Sequence, residues 1–150
     1  MFNHKINEAS DNSEALCLTD NIQQHLIKVA AMYHPQEMCG LITGRVKENL
    51  WIANNFHWIP NVSQEPGKWD YLMDPQASFD VIYSVIKNDY VKLVAIFHTH
   101  PYSVPDPSTI DKDNAKKSGE NVPYLIYSPH AGFKAWMLTQ DNREIRVITK

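Results

Sequence analysis

Residues 94–111 read Val-Ala-Ile-Phe-His-Thr-His-Pro-Tyr-Ser-Val-Pro-Asp-Pro-Ser-Thr-Ile-Asp. With Leu93, the first four make an unbroken apolar run. Such a run predicts a strand buried on both faces, in the middle of a sheet. His98 and His100 stand two apart at its carboxyl end, and a period of two puts both imidazoles on one side of the chain. The carboxyl ends of central strands are where open α/β sheets tend to place ligands. A loop with Pro101, Pro105 and Pro107 then leads to Ser108. Ser108-x-x-Asp111 is close to a capping box, with Ser108 as N-cap of a helix over Ser108–Ser118 that Gly119 ends. Asp111 lies one turn into that helix and could fold back to supply a carboxylate. Two imidazoles, one carboxylate and one water make an open four-coordinate zinc site, the catalytic rather than the structural arrangement. Strand histidines also have a plainer reading, as surface residues or hydrogen-bonded core. The capped helix start accounts for Ser108 and Asp111 but leaves the histidines unexplained.

Outward from this stretch, Leu16–Leu18 predict a short edge strand. Thr19 or Asp20 can cap a helix that runs to about Tyr33, with Ile22, Leu26, Val29, Ala30 and Tyr33 on one apolar face. Pro35 ends it. Gly40–Val46 and Leu50–Ile59 read as two strands joined by a polar turn, Asn61–Lys68 as a loop, and Trp69–Met73 as a short strand. Pro75 suits the first turn of a helix whose buried stripe is Phe79, Ile82, Tyr83 and Ile86. Val122–Tyr127, Phe133–Thr139 and Glu144–Thr149 are the closing strands. Alternating strands and helices predict an α/β layered domain. Residues 1–14 are polar and unpatterned, the expected flexible N-terminal arm of a single domain over 15–150.

The 150 residues are 43% hydrophobic, the balance of a globular chain. Fourteen basic against seventeen acidic residues give a formal charge of −3, so the basic field that nucleic acid or an anionic membrane needs is missing. Two cysteines, Cys17 and Cys39, make neither a disulfide scaffold nor a cysteine-based zinc site. No apolar run is long enough for a membrane span, and the first fifteen residues hold no apolar signal-peptide core. The expected setting is therefore reducing and cytoplasmic. His4, His25, His34, His57 and His130 have no ligand-like spacing. Thr99 points away from the two histidines, Asp106 reads as loop chemistry, and Cys39 as a small buried residue. Trp69, beside a Pro/Gly loop, is a candidate for lining a substrate groove.

Taken whole, His98-x-His100-Pro101, six residues, then Ser108-x-x-Asp111 resembles the signature of the JAMM (MPN-plus) zinc metallopeptidases. Glu37, ahead of Cys39-Gly40-Leu41-Ile42, matches that family's upstream glutamate. The resemblance covers roughly residues 16 to 140. It implies a JAMM/MPN architecture, similar to cytidine deaminases, with a central curved mixed β-sheet flanked by helices. It also implies Zn2+ held by His98, His100 and Asp111, Glu37 as the proton carrier, and Ser108 as donor to the oxyanion. Within the family the chain is most similar to the JAMM domain of K-type phage tail-assembly proteins. Pro35–Ile42, Asn61 with the Trp69–Pro75 segment, and Ser118-Gly119 leading into Pro123–Ile126 carry that likeness. The implied activity is hydrolysis of an amide bond in a protein or peptide, a phage tail protein or a ubiquitin-like protein. The place of action is the cytoplasm, or the host cytoplasm or virion tail for a phage protein. The family's eukaryotic deubiquitinases grip ubiquitin with two insertions. The short Val62–Lys68 and Gly119–Val122 segments leave little room for either. The non-enzymatic alternative is a tail-assembly scaffold. A zinc nucleobase deaminase is excluded, because it needs His-x-Glu and Pro-Cys-x-x-Cys.

Overall fold

The computed structural model of the chain describes residues 13–63 and 71–150. Along them run β1 (Ala15–Leu18), α1 (Asp20–Tyr33), β2 (Cys39–Lys47), β3 (Leu50–Ile59), α2 (Pro75–Ile86), β4 (Lys92–Thr99), α3 (Thr109–Ser118), β5 (Tyr124–Ser128), β6 (Gly132–Met137) and β7 (Arg143–Thr149). The strands follow the order β1-β3-β2-β4-β5-β6-β7, and β7 pairs back onto β1 to close a barrel. The β1–β3, β1–β7 and β4–β5 pairs are parallel and the others antiparallel. The sheet is thus mixed and curved, as expected, and its curvature runs to full closure. No helix among the described residues is long and apolar enough to cross a membrane.

The apolar run after Lys92 does what its composition predicts. Val94–Phe97 are buried, with Ala95 and Phe97 in one core cluster and Ile96 in the other. In β2, Ile42 joins the first cluster and Leu41 the second, by the same period of two. α1 covers the first cluster with Ile22, Leu26 and Ala30, and its N-cap Thr19 accepts the Ile22 N–H at 3.3 Å. Tyr33, expected on that buried face, sits instead on the rim, where it stacks on Trp58 at 5.8 Å. Gly40 allows β2 to lie tight on β3. A Cβ there would meet the Phe56 ring at 2.3 Å and the His57 carbonyl oxygen at 2.6 Å.

Three further expectations need correction. The strand at Leu16–Leu18 is not an edge, because β1 has a parallel neighbour on each side and is buried throughout. Its unbroken Ala-Leu-Cys-Leu composition is that of an interior strand. The stripe expected for α2 holds at Ile82 and fails at its other three members. Ala77, Val81 and Ile82 pack inward, whereas Phe79 is 59%, Tyr83 47% and Ile86 74% exposed. This helix is apolar nearly all round, so periodicity offers several stripes, and fit against the sheet selects the smaller aliphatic one. Of the strand expected over Trp69–Met73, the described residues from Tyr71 on carry one bridge, between Asn61 and Met73. Trp69 lies outside the described residues, as does the expected arm up to residue 12. Glu14, at the arm's end, is tied down: Trp51 Nε1 donates to it at 2.7 Å and Arg143 at 2.6 Å.

Candidate metal centre

β4 sits between β2 and β5, with His98 opposite Cys39 on one side and Ile126 on the other. Its last residues stay extended because the His100 N–H donates to the Tyr127 carbonyl at 2.8 Å. Both imidazoles therefore emerge on one side, His98 fully buried and His100 nearly so. Their Nε2 atoms lie 3.1 Å apart, and each is 3.2 Å from Asp111 Oδ2. The capping box places that carboxylate: the Ser108 N–H donates to Asp111 Oδ2 at 2.9 Å, and Ser108 Oγ accepts the Asp111 N–H at 3.0 Å. The capping box expected at Ser108-x-x-Asp111 is present, and it aims the carboxylate at the two imidazoles.

Glu37 is buried beside the trio, with ligand atoms of Glu37, His98 and His100 all within 4.8 Å of one another. Thr99, facing away from the histidines as expected, explains how Glu37 arrives there. Its Oγ1 accepts the Met38 N–H at 2.8 Å, and its own N–H donates to the Met38 carbonyl at 3.0 Å. Asn61 Nδ2 adds a bond to the Glu37 carbonyl at 3.2 Å. The proline loop is pinned from β6, where Trp136 Nε1 donates to the Pro105 carbonyl at 3.0 Å and Lys134 pairs with Asp106 at 3.0 Å. Asp106 is thus a surface partner of Lys134.

Burial alone would raise the Asp111 carboxyl. Hydrogen bonds from His100 and His98 outweigh it and hold the group ionised, far below the usual carboxylate range. Burial lowers His98, and its contact with Asp111 does not fully offset that. His100 feels less burial, and its bonds to Asp111 and to the Val104 carbonyl carry it above the ordinary value. The His100 Nδ1–H donates to Val104 at 2.9 Å. In the neutral ring this leaves the Nε2 lone pair facing His98 and Asp111. Two ring nitrogens and an anionic oxygen converging in a buried space are a donor set that could hold a metal ion. Ligands about 2.0–2.1 Å from a tetrahedral zinc stand roughly 3.3 Å apart, and the observed 3.1–3.2 Å separations fit that edge. Cys39, two residues after Glu37, is fully buried, as expected. Burial, then the neighbouring Glu37, pushes its thiol up to about 12, and its S–H points to the Ile59 carbonyl at 3.4 Å.

One residue at the centre escaped the sequence reading. The Tyr71 ring stacks on His98, with centroids 4.4 Å apart and planes at 26°. Only the fold joins them, so no spacing rule could have found the pair.

The sequence profile of the family described as prokaryotic homologs of the JAB domain matches residues 19–139. The chain belongs to that family. Among relatives of this JAB chain, a desampylase of Haloferax volcanii is 33% identical over 129 residues, which are 85% of this chain and 88% of that protein. A probable TtuB-protein conjugate cleaving protease of Thermus thermophilus is 29% identical over 131 residues, 87% of this chain and 78% of that one. Among solved structures, a Desulfitobacterium hafniense protein superposes with a TM-score of 0.76 at 26% identity, covering 90% of this JAB chain and 92% of that one. A JAB1/MPN domain protein from Archaeoglobus fulgidus shares the fold, with a TM-score of 0.57 at 16% identity over 87% of this chain and 97% of that one.

Proposed function

We propose that this chain is a zinc-dependent metallopeptidase that acts as an isopeptidase, hydrolysing the amide bond between a ubiquitin-like modifier and its target. The observation that carries this reading is the convergence of His98 Nε2, His100 Nε2 and Asp111 Oδ2 to within 3.2 Å, with buried Glu37 alongside. The relative named as a probable TtuB-protein conjugate cleaving protease favours that substrate class over a tail protein. His98, His100 and Asp111 would hold the metal. When bound, zinc supplies a Lewis acid that polarises the scissile carbonyl and eases deprotonation of water.

The remaining work falls to the chain's own side chains. Glu37 takes a proton from the attacking water, whose oxygen adds to the carbonyl carbon. As the C–N bond breaks, Glu37 passes that proton to the leaving amine. Ser108 Oγ already accepts the Asp111 N–H, which leaves its hydroxyl hydrogen to donate to the oxyanion. Val104 holds His100 in one tautomer, and the capping box holds Asp111 in place.

Metal analysis of the protein purified without chelators, coupled to cleavage of modifier conjugates in the cytoplasmic extract where they form, tests this reading. The expected result is one zinc per chain and cleavage that chelator abolishes. Glu37→Gln should keep the metal and lose turnover, and His100→Ala should lose both. A parallel arm offers phage tail proteins: cleavage there, and not of conjugates, would move the substrate class. Binding of either without metal-dependent cleavage would favour the scaffold.

A further inference from the structure

A histidine that ligates a metal is ordinarily oriented by its other ring nitrogen, which donates to a carbonyl or carboxylate. His100 follows this rule through Val104. His98 does not: its Nδ1 is buried and has no hydrogen-bond partner among the described residues. Its ring lacks the usual lock on rotation, yet its Nε2 is aimed as well as that of His100. What lies flat against the ring is Tyr71, at 4.4 Å between centroids.

We infer that Tyr71 is a positioning residue that holds His98 by stacking, in place of the missing hydrogen bond, and so keeps the metal site assembled. This rests on the reading of His98, His100 and Asp111 as metal ligands. The segment bearing Tyr71 is fixed well enough to serve. Val62 N–H donates to the Leu72 carbonyl at 2.7 Å, Leu72 N–H to Asn61 Oδ1 at 2.9 Å, and Asp74 N–H to the Pro60 carbonyl at 2.9 Å. The same Asn61 side chain reaches Glu37 through its Nδ2. One amide thus registers the stacking ring and the proposed proton carrier against each other. A flat face offers an imidazole offset-stacking attraction and denies it the volume in which to turn.

The test is zinc affinity by chelator competition, together with the absorption spectrum of the cobalt-substituted protein. Both read the site without turnover. Loss of a group that orients a ligand weakens metal binding about 10- to 100-fold, and Tyr71→Ala should fall in that range with an altered cobalt spectrum. Tyr71→Leu fills the space without a flat face and should behave like Tyr71→Ala, which also guards against a collapse of the loop. Tyr71→Phe keeps the ring and should match the unaltered protein in both readouts. Affinity and spectrum unchanged in the alanine and leucine variants would overturn the inference, as would a phenylalanine variant as weak as alanine. Failure of the unaltered protein itself to bind zinc or cobalt would instead sink the metal reading on which it stands.

Discussion

Replacing Thr99 by valine removes one oxygen at a place where water cannot take over its duty. Valine has nearly the same shape, so no cavity opens. The Met38 N–H, however, loses the acceptor it holds at 2.8 Å. Met38 is 1% and Thr99 3% exposed, so the amide would be stranded. A buried donor left without a partner costs about 1–3 kcal/mol. At roughly 2–4 °C per kcal/mol for a chain of this size, the melting temperature should fall by about 2–12 °C. Urea unfolding, followed by circular dichroism in the presence of chelator, measures the loss free of metal linkage. The midpoint should drop with no change in slope. Thr99→Ser keeps the oxygen and gives up one methyl, worth about 0.8 kcal/mol, and should be the milder change. Because the bond sits one residue from Glu37, turnover should suffer in Thr99→Val while zinc content holds. A valine variant as stable as threonine, or more stable than serine, would refute the claim that this hydroxyl fixes the Glu37 segment.

Gly40→Ala should destabilise the chain by about 1–3 kcal/mol in the same urea assay, because its new carbon would press on Phe56 and the His57 carbonyl. Ser108→Ala should cost about 1 kcal/mol of stability through the lost cap. Its kcat should fall by about 100- to 1000-fold, far beyond what stability explains, if the hydroxyl serves the oxyanion. Cys17 and Cys39 are both buried, and the Cys39 thiol is pushed up to about 12. A thiol reagent at pH 8 should therefore label neither until denaturant is added; rapid labelling of the native protein would contradict this account of Cys39.

The convergence of His98, His100 and Asp111 was legible because local rules set where each side chain points. His98 and His100 share a side by strand period, and Asp111 is aimed by a cap that Ser108 announces three residues earlier. Glu37 was legible only by family likeness, since a lone glutamate before a glycine carries no chemistry of its own. The fold class followed from alternating elements. Closure of the barrel did not, because the pairing of Ala15 with Arg146 spans nearly the whole chain and leaves no local mark. α2 misled for a different reason: Phe79 and Tyr83 are its largest apolar residues, but the sheet accepts Ala77 and Val81 beside the expected Ile82. Thr99 was read correctly as pointing away from its neighbours. Its partner, Met38, lies 61 residues upstream and could not be guessed.

α3 has little oily surface with which to grip the barrel wall, for Asp111 and Ala115 are its buried side chains. Its docking leans on a carboxylate aimed at two imidazoles from another element. On the proposed reading, a cation seated among the three would staple the helix in place, and stripping it would leave the helix as the piece most ready to lift while the strands stay shut. Deuterium uptake along Lys112–Ser118 should therefore fall when zinc is added to the chelator-treated protein, a gauge of the proposed site that needs no substrate.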